Sequence, residues 1–415
     1  MIRTLTSLCL LGCLSMPFFS KGQGSSGLLS GQDTTAARIP TSAMPFLGFT
    51  PDARSAGMGD VGVALSPMDA NAIFWNPSKL VFAEKERGVA LSYTPWLRNL
   101  TDDMYFTYLS GFRKLGKNQV LGFSLLYFDL GTIEFTNSSG QSEGSFGSRE
   151  YAFTLSYSRR LFRNFSMGVN AKYANSNLAG NYSLNGMTIK PASTVMADIS
   201  GYYENEIRDE VSGKGIKWAF GGMLSNVGGK VSYGTTQRYF LPTNLRLGTT
   251  FTYYTDRFNK FNFAVDLNKL MTPTPPLYQT VNGQPVLVNG QKVVLKGREY
   301  DNLTSLSGAF GSFADAPDGF AEELKEVNIN TGVEYWYNDA FAARLGYAHE
   351  ARIKGDRKYF TTGIGLRVQN KYGVDFAYLI PMRQGSPLAQ TFRLSLILDL
   401  KKKDRSAELD EEIEE

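Results

Sequence analysis

Histidine and cysteine are almost missing from this chain. The one histidine is His349, and the two cysteines, Cys9 and Cys13, fall within the first thirteen residues. A single imidazole excludes metal centres built on several histidines. A hydrolase with a histidine base would have to use His349, whose place at the end of an expected strand fits interfacial or loop packing. Excess charge is also lacking: the net charge is +4 over 415 residues, and no basic stripe marks a nucleic-acid partner. After residue 24 no apolar run approaches the ~20 residues that a membrane helix requires, which excludes a helical membrane protein. A transmembrane barrel is not excluded, because its strands alternate and hide from hydropathy averages. Gly228-Gly229 lacks the strand-to-helix setting of a phosphate loop. No metal, cofactor or catalytic constellation is expected, and the chain reads as a non-enzyme.

Aromatic residues and glycine, by contrast, are plentiful, with 28 Phe, 22 Tyr and 42 Gly. Residues 1–24 have the form of a signal peptide: Arg3, an apolar core from Leu5 to Phe19, then small polar residues. Leu10-Leu11-Gly12-Cys13 has the look of a lipoprotein cleavage box, but the apolar core continues through Leu14, Met16, Phe18 and Phe19. Cleavage near Gln23 would leave a mature chain without thiol or disulfide chemistry.

From about Glu86 the sequence breaks into short alternating segments separated by turn residues. In the last one Phe392, Leu394, Leu396, Leu398 and Leu400 share one face, while Arg393, Ser395 and Asp399 share the other. Tyr151–Tyr157, Leu245–Tyr253, Phe261–Leu267, Val327–Tyr335 and Phe360–Val368 repeat the pattern. The predicted strands are 86–95, 103–113, 118–135, 148–160, 165–176, 194–204, 216–225, 244–255, 259–270, 326–337, 340–350, 358–369, 371–380 and 390–400. Short connections (114–117, 161–164, 256–258, 338–339, 370) alternate with long ones (137–147, 177–193, 226–243, 271–325), and only 205–215 is longer than this scheme wants. Outer-membrane barrels sort their connections in this way, and a soluble β-sandwich has no reason to. The expectation is therefore an all-β, transmembrane antiparallel barrel of about 14 strands. Its oily face meets outer-membrane lipid, both termini are periplasmic, and Asp198, Asp266, Glu334 and Asp375 point into the lumen.

The predicted organisation is a signal peptide (1–24), a periplasmic arm (25–45), a segment plugging the lumen (46–85), the barrel (86–400) and a charged periplasmic tail (401–415). Residues 46–85 do not alternate and are too apolar for a free linker. Within them Gly57 and Gly59 permit close backbone approach, Asp52 and Arg54 are candidates to pair with each other or with lumen charges, and Asn76-Pro77 is a turn signal. The reading favoured for these residues is structural, holding the plug, rather than ligand contact. In the 271–325 connection an apolar stretch, Val286–Leu295, centres on Asn289-Gly290. This predicts a hairpin outside the membrane, serving either as a protein-contact surface or as a lid.

Residues Phe46 to Ala64, including Asp52, Arg54, Gly57, Gly59 and Asp60, resemble the opening of the PorV/PorQ family of outer-membrane barrels, within the FadL-like superfamily. Asp69-Ala70-Asn71 and Phe74-Trp75-Asn76-Pro77-Ser78 continue the likeness, with Ser78 where the wider superfamily has Ala. Tyr93-Thr94-Pro95-Trp96, within Leu91–Arg98, resembles a segment of the PorV branch. The resemblance is dense over about 46–130. It implies a component of type IX secretion that binds the C-terminal signal domain of cargo at a SprA/Sov-like translocon subunit and delivers it to a PorU-like sortase and other attachment subunits. The alternative is a FadL-like channel for hydrophobic small molecules. A third reading is a plug-sealed barrel that anchors a complex.

Overall fold

Two-residue alternation with β-branched and aromatic side chains on one face yields strands that can pair edge to edge until the sheet closes. In the computed structural model, which describes residues 38–400 apart from 99, 137–138, 181–182, 185–186, 282–283 and 384, this closure is complete. The strands are β1 (Arg87–Pro95), β2 (Tyr105–Lys114), β3 (Gln119–Thr136), β4 (Ser142–Phe162), β5 (Phe165–Asn177), β6 (Ala192–Arg208) and β7 (Gly215–Gly228). They continue as β8 (Asn244–Tyr254), β9 (Asn259–Leu270), β10 (Val327–Tyr337), β11 (Phe341–His349), β12 (Lys358–Val368), β13 (Tyr372–Pro381) and β14 (Phe392–Leu400). Each pairs antiparallel with its sequence neighbours, and β1 closes on β14 from Arg87↔Leu400 to Tyr93↔Leu394. The chain is a fourteen-stranded antiparallel β-barrel. The expected signal peptide with its two cysteines, the first part of the expected arm and the expected tail 401–415 lie outside the described residues.

The pleat decides which side chain meets which medium. On β1, Val89, Leu91 and Tyr93 are exposed on the outer wall, whereas Ala90, Ser92 and Thr94 are buried inward. The same parity puts Phe153 and Leu155, Phe263 and Leu267, and Leu394, Leu396 and Leu398 outside. A continuous apolar band on this scale is far larger than a water-facing surface carries and matches lipid. Aromatic rungs run across its far part, Tyr93 beside Tyr105 and Tyr105 beside Tyr127, and across the other, Trp218 against Phe251 and Phe261 against Tyr335. Such belts sit where hydrocarbon gives way to headgroups. No helix among the described residues is long and apolar enough to cross a membrane.

Connections at the end where β1 starts and β14 finishes, here the near end, are tight: 115–118, 163–164, 209–214, 255–258, 338–340 and 369–371. The far end carries the long ones, above all 271–326. Two sequence expectations shift. Residues 142–147 are strand rather than loop, because β3 and β4 continue pairing past a bulge, up to Thr136↔Ser142. The connection that broke the sorting rule is a turn of 209–214, because β6 runs on to Arg208 opposite Gly215. The predicted hairpin is present: Leu287–Val288 pairs with Gln291–Lys292 around Asn289 (φ 52°) and Gly290 (φ 76°), the backbone of a type I′ turn. Two short helices in the same connection, Ser305–Gly311 and Phe320–Glu323, were not anticipated.

The arm is placed differently from the expectation. Arg38 bonds Glu322 and Asp318, its N–H donates to Ile353, and Ala43 donates to Phe240. All of these partners lie in far-end connections, whose carboxylates attract the arginine. Residues 38–45 therefore sit at the far end while Leu400 sits at the near end, so the described chain does not have both of its ends on one side.

Candidate functional site

Residues 46–85 form short helical pieces, two of them capped by side chains. In α1 (Ala53–Gly57) the Asp52 carboxylate accepts from the Ser55 N–H at 2.8 Å and from Trp75 Nε1 at 2.7 Å, an N-cap that also ties α1 to α2 (Ala72–Trp75). Asn76 caps the following 3-10 turn, which starts at Pro77. Its amide also donates to the carbonyls of Val63 (3.2 Å) and Gly201 (3.0 Å). Asp52 and Arg54 do not pair: the cap already occupies Asp52, and Arg54 reaches the other way.

Arg54 meets Glu334 of β10 through Nε at 2.8 Å and Nη2 at 2.7 Å, and Glu334 also takes Arg344 Nε at 2.8 Å and Asn262 Nδ2 at 2.7 Å. Arg344 continues to Asp375 at 2.8 Å, which takes Arg367 as well. Arg344, Glu334 and Asp375 are fully enclosed. Buried charges persist only when paired and hydrogen-bonded, and each of these five charges has an ionic partner, although Arg344 Nη2 itself is buried without a hydrogen-bond partner. The other inward carboxylates are used similarly: Asp266 accepts the Gly62 and Val63 N–H groups, and Asp198 takes Lys172, Asn170 and the bulged Asn226 N–H. Partners from β5, β6, β9, β10, β12 and β14 thus surround residues 53–78.

Gly59 (φ +73°) passes so close to β10 and β11 that a Cβ there would lie 2.5 Å from the Tyr347 nitrogen, while Gly57 packs against Gly363. Asp60 bonds the Tyr359 hydroxyl, and its Oδ1 is buried without a partner. In the Tyr93–Trp96 segment, Tyr93 faces outward, Thr94 faces inward and Pro95 ends β1. Trp96 turns over the far mouth and stacks on Phe49 at 4.4 Å, joining the barrel wall to residues 46–85. His349 ends β11 and touches the Tyr347 hydroxyl.

The 271–326 connection is bound to the far mouth by ions that sequence reasoning missed. Lys269 bonds Glu323 (3.1 Å) and Glu326 (2.6 Å), Lys354 bonds Glu322 (2.7 Å) and Glu326 (2.6 Å), and Arg38 bonds Glu322 (2.8 Å). Asp315, Glu323 and Glu326 bring carboxylate oxygens within 4.8 Å of one another, but the two lysines already hold the glutamates. Burial, and then repulsion from Glu326 and Glu323, push Asp315 up to about 7 despite the Thr274 N–H it accepts. Burial acts against Glu322 too, yet Arg38 and Lys354 hold it down to about 2. No sequence period joins Arg38 to Glu322 or Lys354 to Glu326; the only cue was the density of acidic residues in 315–326.

The chain is similar to several solved structures at low identity. The Ralstonia pickettii toluene transporter TbuX is 13% identical, with 85% of this chain and 98% of that one covered at a TM-score of 0.46. The Pseudomonas putida toluene transporter TodX is 10% identical, with 83% and 95% covered at 0.43. A Pseudomonas aeruginosa FadL homologue is 10% identical, with 88% and 100% covered at 0.41. No curated protein sequence matches the chain. Residues 32–277, more than half of the sequence, match the family model described as type IX secretion system protein PorV, and this outer-membrane barrel belongs to the PorV family.

Proposed function

We propose that this barrel is a non-enzymatic carrier of type IX secretion. It binds the C-terminal signal domain of cargo at the translocon and hands it to the cell-surface attachment complex with its sortase. Family membership supplies the system. The observation that carries the reading is the asymmetry of the barrel, with tight turns at one end and, at the other, a long connection held down by buried ion pairs. In this reading the far end is extracellular, residues 38–45 lie at the outer mouth, and Leu400 is periplasmic. Residues 46–85 act as a plug, since the lumen they occupy is crossed by ion pairs rather than by an apolar path. That favours a carrier over a channel for hydrophobic small molecules. Exposed Leu287, Val288, Phe310 and Phe320 give the far end an apolar contact surface, and hairpin edges there can pair with an incoming strand.

The test is to replace residues 279–293 by a short Gly-Ser linker in the cell and to purify the complexes in mild detergent. The barrel should fold, cargo should remain unattached, and cargo should no longer co-purify. Normal attachment of cargo to the surface would overturn the proposal, and co-purification of neither cargo nor translocon with the intact chain would favour the channel.

A further inference from the structure

A cavity of about 410 Å³ opens at the far mouth, between residues 40–50 and the far halves of β8 to β12. Arg246 of β8 lines it. This side chain is 97% enclosed, and among the described residues it has no carboxylate within ion-pair distance. Its only contacts of note are the faces of Phe74 (4.8 Å) and Trp75 (5.2 Å), and its Nη1 has no hydrogen-bond partner. Asp198 is held by Lys172, and Asp266 gives its Oδ2 to the Gly62 and Val63 N–H groups while its Oδ1 stays buried without a partner and does not line the cavity. Arg54, Arg344 and Arg367 each have a carboxylate, whereas the inward Arg393, which does not line this cavity, likewise has none within ion-pair distance among the described residues. A desolvated guanidinium without one is costly, and buried polar groups normally find partners.

The rest of the wall narrows what the missing partner can be. Asn268 and Asn328 sit in cross-strand register beside Arg246 and, with Asn244, make that side a row of amides. A hydrocarbon tail has no place against such a row. Arg357 and Glu350 also line the cavity, but they neutralise each other through two contacts of 2.8 Å. The remaining free charge is Asp60, whose Oδ1 is buried and unpartnered. The cavity thus offers one free cation and one free anion, with Trp75 and Phe49 as its apolar part. A dianion would be repelled by Asp60, and a simple cation by Arg246.

We propose that this cavity binds a small hydrophilic carboxylate of the amino-acid type, with its carboxylate on Arg246 and its ammonium on Asp60. The planar guanidinium fork suits a carboxylate. The inference does not depend on the secretion role and is tested separately from it.

The test is saturation-transfer NMR on the purified full chain in dodecyl maltoside, with glycine, L-serine, acetate and decanoate as probes. Glycine and L-serine should bind. Arg246→Gln should weaken both by about tenfold or more, the effect of one lost charge-assisted hydrogen bond. Arg246→Lys should recover part of the loss. Asp60→Asn should weaken L-serine and leave acetate as tight as before or tighter. Retained heat-modifiable migration on gels establishes that each variant folds, and Asn268→Leu, which narrows the cavity without touching either charge, should abolish L-serine binding as a further check. The proposal is overturned if no hydrophilic probe binds the parent protein, if Arg246→Gln binds as the parent does, or if decanoate alone binds.

Discussion

Replacing Glu334 by Gln is expected to loosen residues 46–85 from the wall without opening the barrel. Glu334 is fully enclosed, and both of its oxygens are occupied, Oε1 by Arg54 and Arg344 and Oε2 by Arg54 and Asn262. The amide keeps the shape but removes the charge. Arg344 retains Asp375, whereas Arg54 is left with the carbonyls of Ser66 and Pro67. Removing one member of a buried pair costs about 3–5 kcal/mol, because the other charge stays buried and unpaired. The conservative change belongs at the low end, about 3 kcal/mol. Arg54→Met should cost a similar amount, since Glu334 still has Arg344. If the two charges hold each other, the double variant Arg54→Met with Glu334→Gln should be less destabilised than the sum of the single changes by about 2–3 kcal/mol. Urea unfolding in micelles reads the totals, and proteolysis within 53–68 reads the local loosening. Strict additivity of the two substitutions would refute the claim that this pair fastens the segment.

Gly59→Ala should destabilise by about 3 kcal/mol or more, because φ is +73° and the new Cβ would meet backbone atoms at 2.5 and 2.7 Å. Gly48→Ala, with nothing within 4 Å of the added carbon, should stay within about 0.5 kcal/mol; equal urea midpoints for the two would contradict the geometry. Docking of the 271–326 connection should depend on pH. A carboxyl whose folded pKa is raised binds more protons when docked, so the contribution of Asp315 is fully present below the ordinary value of 3.8 and is lost as pH rises through about 7. Glu322, with its pKa lowered, stabilises above 4.5 and loses this as pH falls toward about 2. A spin label at position 320 should therefore be least mobile near pH 4, between the ordinary values of 3.8 and 4.5, and loosen progressively by pH 8. Asp315→Asn should remove the alkaline limb, and a label equally mobile at pH 5 and pH 8 would contradict the assignment.

The fold was legible because a barrel writes itself in local terms. Leu394, Ser395 and Leu396 report their faces by parity alone, and Asn289-Gly290 names its turn. What escaped had no local signature. The extension of β3 and β4 through residues 142–147 is made of Gly, Ser and Glu apart from Phe146, a run that reads as loop, and is held by pairing rather than by propensity. Arg246 could be placed on the inner face from its alternation with Leu245 and Leu247, but its lack of a carboxylate is a property of the assembled lumen. The same holds for Arg38, whose partners lie about 280 positions away in sequence. It holds residues 38–45 at the far mouth.

The inward charges also discriminate between registers. In β10, Glu334 is flanked by Val333 and Tyr335, and a slip of one residue would exchange them. Glu334 would then face hydrocarbon, and Arg54 and Arg344 would both lose their shared carboxylate. Arg344 in β11 stands directly opposite Glu334 in the ladder, so a slip of either strand separates the pair. Placing an arginine on the lipid face near the bilayer midplane costs roughly 2–4 kcal/mol, and the lost pairing adds to that. A wall of aliphatic side chains outside and serines inside would have tolerated the slip far better. The ion pairs that fasten residues 46–85 therefore also penalise misregistered pairing of β10 with β11, and loss of Glu334 should raise the proportion of misassembled barrel as well as loosen the segment within it.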